Sequence, residues 1–132
     1  MGGTVVCDVT DAPAGRSAAE FATALGARLG LRVVLVCVGS DAARRLDALA
    51  GQLALHTETR VAFGDHAEAL ARVAAEEGAD VIIVGARPTG IGGRSLRWSL
   101  ARELEAATPI PVLVAPPATR RRSNRRLAAE TR

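Results

Sequence analysis

The chain has 132 residues, enough for one domain with a single core. Apolar residues make up 48% of it, but the aromatics are only Phe21, Phe63 and Trp98, so the core has to be built from Ala, Val, Leu and Ile. All 17 basic residues are arginine, which excludes any mechanism that needs a lysine, whether a Schiff base or a P-loop.

The elements alternate along the chain. "TVVCD" (Thr4–Asp8) is a short strand pattern. Ser17–Leu29 places Phe21, Leu25 and Leu29 four apart on one helical face, with Ser17 as N-cap and Glu20 completing a capping box. "RVVLVCV" (Arg32–Val38) is apolar throughout, as a strand covered on both faces must be. Asp41–Leu55 is helical by composition, capped by Ser40, and Thr57–Phe63 alternates as a strand. Asp65–Glu77 is a helix ended by Gly78. "DVIIVG" (Asp80–Gly85) is a buried strand, Ser95–Ala107 a helix stopped by Pro109, and "PVLVA" (Pro111–Ala115) a last strand. Strands alternating with helices of this length predict an α/β fold, with right-handed crossovers, a single five-stranded parallel sheet and helices on both faces.

Cys7 and Cys37 fall in apolar strand patterns without CxxC spacing and read as small buried hydrophobes. The net charge is +3. Residues 120–132 hold six arginines and one glutamate, so this stretch carries +5 and the rest of the chain −2. The division is a domain over residues 1–117 and a basic tail over 118–132, expected to be disordered. No aromatic residue is interleaved with the tail arginines to stack on bases, so nucleic acid is not an expected partner. No apolar stretch approaches the ~20 residues that cross a membrane, and no charged segment precedes an apolar one at the N-terminus. No membrane partner is therefore expected, and the expected location is the cytoplasm.

In a parallel sheet of this kind, ligands bind beyond the carboxyl ends of the strands where strand order reverses. The candidate loops are Asp8–Arg16, "DVTDAPAGR", and Gly85–Ser99, "GARPTGIGGRSLRWS". The second resembles a phosphate cradle, with Gly85, Gly90, Gly92 and Gly93 beside Arg87, Arg94 and Arg97. It is not a P-loop, because Ile91 and Gly92 stand where Lys and Ser/Thr belong, and the first loop has one glycine where a Rossmann turn needs three. No GxSxG elbow, paired carboxylate or metal-ligand cluster is visible. His56 and His66 read as surface or capping residues rather than metal ligands or general bases, and Trp98 as a packing residue.

Four stretches together resemble the universal stress proteins: Asp8 closing the first strand with Thr10 behind it, "GDHAEAL", "ADVIIVGAR" and "TPIPVLVA". The resemblance covers most of residues 4–115. It implies strand order 3-2-1-4-5 and a homodimer formed through the last strand, Val112–Ala115. ATP-binding members carry Gly, two residues, Gly, nine residues, then Gly-Ser/Thr. In that register Gly85 and Ser99 are kept, while Pro88 and Trp98 replace the two remaining glycines. Proline lacks an N–H to offer a phosphate, and a tryptophan ring fills space that bare backbone should leave open.

By the resemblance, Asp8 meets the ribose, Val38 and Val84 the adenine, and Gly85 and Ser99 keep the motif's phosphate positions; Gly90, Gly92 and Gly93 are the glycines left to rebuild a cradle in shifted register, and Leu100 is counted with the binding residues. Ser99 is expected at a helix start, where the dipole favours anions. For Asp8 the residues leave a second reading open, a carboxylate capping local backbone N–H groups. The expected function is a regulatory stress-response domain that acts by dimerising and binding a protein partner, and not an enzyme. The alternative is an ATP-sensing domain, with Mg²⁺ accompanying the ATP, and a weak ATPase ranks last.

Overall fold

The computed structural model describes residues 2–10, 13–53, 57–85 and 93–116, without the side chains of 13–15, 45, 50, 52, 53 and 93–99. In chain order the elements are β1 (Thr4–Asp8), α1 (Pro13–Leu29), β2 (Arg32–Val38), α2 (Ala42–Leu53), β3 (Glu58–Ala62), α3 (His66–Glu77), β4 (Val81–Gly85), α4 (Gly93–Ala107) and β5 (Val112–Ala115). The five strands form one sheet in the order β3-β2-β1-β4-β5, with every pairing parallel. The tail over 118–132 lies outside the described residues.

Three helix starts differ from the sequence reading. α1 opens at Pro13, a turn before Ser17, so Ser17 lies inside the helix and caps nothing. A proline suits a first helical position because its fixed φ is helical and the N–H it lacks would be unpaired there. α2 opens at Ala42, whose N–H donates to the Gly39 carbonyl at 3.3 Å, which leaves Ser40 two positions outside the helix. α4 opens at Gly93 rather than Ser95. The start of α3 follows the expectation closely. Asp65 is the N-cap, its carboxylate accepting from the Glu68 N–H at 3.2 Å, and Gly78 closes the helix in the left-handed conformation at φ 67°.

Strand parity assigns each side chain to a face. Val5, Cys7, Val33, Leu35, Cys37 and Ile83 pack with α1 and α2 on one side. Val6, Val34, Val36, Ile82 and Val84 pack with α3 and α4 on the other. Both cysteines are buried and in no disulfide, as their apolar setting predicted, and burial pushes the Cys7 thiol far up. The cores are aliphatic, and alanines such as Ala18, Ala19, Ala22 and Ala74 let the helices lie close to the sheet. Gly26 serves the same approach: a Cβ there would stand 2.5 Å from Val33 Cγ2.

The amino ends of the strands are tied by polar contacts. Thr4 N–H donates to Asp80 Oδ2 at 2.8 Å while Asp80 N–H donates to the Thr4 carbonyl at 2.8 Å, locking β1 to the entry of β4. Arg32 holds Glu58 at 2.7 Å and also pairs with Glu77, and Arg60 reaches Glu76 and Glu77 at 2.7 Å each. The Arg60 and Arg32 guanidiniums hold the Glu77 carboxyl below the usual carboxylate range. This network anchors the C-terminal end of α3 to β2 and β3, and its N-terminal end is thereby directed to the carboxyl ends of the strands.

Candidate functional site

Strand order reverses between β1 and β4, because β1 connects to β2 on one side and the chain later returns as β4 on the other. Asp8 is the last residue of β1, at the carboxyl end of this crevice. Its backbone is fixed on the β2 side, since Asp8 pairs with Val36 and the Val9 N–H donates to the Val36 carbonyl at 2.8 Å. By parity its side chain takes the same face as Val6, the face covered by α3 and α4.

The Asp8 carboxylate is only 2% exposed. Burying a charge at this depth demands a partner. The partner is His66, the first residue of α3, whose Nε2–H donates to Asp8 Oδ1 at 2.9 Å. Among the described residues the carboxylate is therefore held by an imidazole. The His66 side chain is 41% exposed, so the pair joins a buried acid to a ring at the surface. The hydrogen bond to Asp8 pushes His66 above its ordinary value, against burial, and the charges of Asp8, Asp65 and Glu103 add to the rise. His66 had read as a surface or capping residue; its place is beside the buried acid.

The other expected site residues divide in four groups. Val38 and Val84 share the Asp8 face, but Val84 is 1% exposed and belongs to the core, whereas Val38 is half-buried at the end of β2 and keeps surface for a base. Gly85 ends β4 opposite Ala115, and Leu100 is half-buried against the α3/α4-side core. Gly90 and Gly92 lie outside the described residues, as do Pro88 and His56. Gly93 opens α4, which places Ser99, like Trp98, in its second turn. This corrects the expectation of a serine at the helix start: the helix begins six residues earlier, so the free N–H groups of its first turn precede Ser99. Among the described residues no three His, Cys, Asp or Glu side chains gather to hold a metal ion, and no helix is long and apolar enough to cross a membrane.

The sequence pattern of the universal stress protein family matches residues 39–116, more than half of the chain. The chain belongs to the universal stress protein family. Solved structures agree with this on the fold. A universal stress protein crystallised in complex with cAMP superposes with a TM-score of 0.73 at 18% identity, covering 86% of this chain and 96% of that one. The universal stress protein UspA from Lactobacillus plantarum gives 0.66 at 18% identity, covering 86% and 97%. The universal stress protein from Archaeoglobus fulgidus in complex with dAMP gives 0.63 at 16% identity, covering 88% and 98%. No curated protein matches in sequence. The strand order that the resemblance implied is thus the observed one, and this universal stress protein carries at its β1 end an Asp–His pair.

Proposed function

We propose that this universal stress protein is a regulatory binding domain that takes an adenine nucleotide at the carboxyl ends of β1 and β4. The observation that carries this reading is the buried Asp8 carboxylate at the switch point, held through Oδ1 by His66 and, among the described residues, by nothing else, so that Oδ2 is the oxygen proposed to accept from a ligand hydroxyl. Two proteins of the same fold, crystallised with cAMP and with dAMP, support an adenylate as the ligand class. Asp8 would hold the ribose and Val38 the base, with the 85–99 segment toward the phosphates. Mg²⁺ would arrive with a triphosphate, held by the phosphates. Calorimetric titration of the full chain with ATP and AMP is expected to show saturable binding. An absence of heat and of thermal shift at millimolar nucleotide would remove this reading.

The partner-binding reading rests on a separate observation. β5 is an edge strand whose Leu113 and Val114 are 40% and 36% exposed, an apolar edge of the kind that pairs with another strand. We propose that Val112–Ala115 is the dimer contact. Sedimentation equilibrium is expected to give a dimer that Leu113→Arg dissociates; a monomer at all concentrations excludes it.

A further inference from the structure

Resting on the nucleotide reading above, we propose that His66 is the positioning residue for Asp8 and couples capture of an anionic nucleotide to the uptake of one proton. Nε2–H of His66 occupies Asp8 Oδ1 and orients the carboxylate; among the described residues nothing else pairs with its side chain, and Oδ2 is the oxygen proposed to take the ligand. A neutral ring that carries its hydrogen on Nε2 has a bare Nδ1, so the proton taken up goes to Nδ1 and makes the ring a cation at the mouth of the crevice.

The charged groups around the ring set the direction of the coupling. Asp8 faces it from β1, Glu103 from α4, and Asp65 from the cap of its own helix. Arg72 of the same helix turns to the Phe63 carbonyl at 3.3 Å. The arginines of β2 and β3, Arg32 and Arg60, are engaged with acids at the far end of α3. Among the described residues the charges that act on the ring are those of carboxylates, and the cationic form is the one they favour. A bound phosphate adds negative charge to the same surroundings. By linkage, whatever factor the nucleotide adds to protonation of His66, protonation adds to nucleotide affinity. An uncharged nucleoside has the hydroxyls but not this term.

The same pair contributes to folding with a definite sign. His66 is raised in the folded protein, so its contribution is fully present below about pH 6.5 and is lost as pH rises through the raised midpoint. Ligand capture should weaken over that same window.

The test uses the histidine ring resonances of the full chain, which has two histidines, His56 and His66. His66→Gln assigns the signals, because its amide keeps a donor but cannot ionise. The His66 midpoint is expected above the ordinary value, to fall in Asp8→Asn, and to rise on saturation with AMP but not with adenosine. AMP affinity of the native chain is expected to fall roughly fivefold from pH 6 to pH 8.5 beyond any change in His66→Gln. The AMP phosphate itself titrates near pH 6, but does so alike in both proteins, so the difference isolates His66. If AMP moves other resonances while the His66 midpoint stays, or if both proteins share one pH profile, the proton coupling is wrong and the nucleotide reading stands. If AMP and ATP move no resonance at any pH, the nucleotide reading fails and the coupling falls with it. If His66→Gln folds poorly, His56→Gln leaves the His66 signals alone in the spectrum and gives the same assignment.

Discussion

Leu70→Ala is expected to lower the unfolding free energy by about 3 kcal/mol, read as a fall in the urea midpoint at unchanged slope. Leu70 is wholly buried on α3, packed with Val6, Val34, Val36, Ile82 and Leu104. Its neighbours on the helix, Ala67, Ala69, Ala71 and Ala74, are too small to fill the space it would leave. The chain has three aromatic residues in all, so the core holds few large side chains in reserve. Leu29→Ala is the control, since Leu29 is 62% exposed and its loss should cost less than about 0.5 kcal/mol. A Leu70 effect no larger than the Leu29 effect would show that α3 does not seat on the sheet as described. The site depends on that seating: Leu70 lies four residues after His66, on the same helical face.

Asp8→Ala is expected to weaken adenine nucleotide binding ten- to a hundredfold in calorimetric titration, while changing stability little. The binding loss follows from removing a charged acceptor, worth about 1.5–3 kcal/mol per hydrogen bond. The small stability effect follows from the two halves of the pair. Asp8 is buried at a desolvation cost that its removal relieves, and His66, 41% exposed, can turn to water when its partner is gone. Asp8→Asn should fall between, since it keeps the shape and one acceptor but loses the charge. Unchanged affinity in Asp8→Ala would place the ligand elsewhere. A large stability loss would mark Asp8 as a structural clamp of the kind Asp80 forms at the other end of β1.

The elements were legible because periodicity, caps and composition agree along the chain. β1 and β2 have the limits their apolar patterns set, and α3 runs between the Asp65 cap and Gly78. Helix starts were less legible where a polar residue competed with a better signal: Ser17 drew attention from Pro13, and Ser40 from the Gly39 turn. Asp8 was legible as a candidate from the family resemblance and from its place at the end of a strand before a loop. Its partner was not, although both clues were present. Asp8 has the parity of Val6, and His66 follows directly on the cap of a helix that closes a crossover. Neither clue names the other, because 58 residues separate them.

What the sequence determined by itself was the alternation of strands and helices, the burial of the cysteines and the aliphatic core. These depend on local periodicity and on each residue's own preference for water or oil. The tertiary structure alone decided which face each helix covers, and hence that the first turn of α3 stands over the end of β1. That meeting makes a buried carboxylate and a surface imidazole one unit, since a charge at that depth requires a partner that only the packed chain can bring to it.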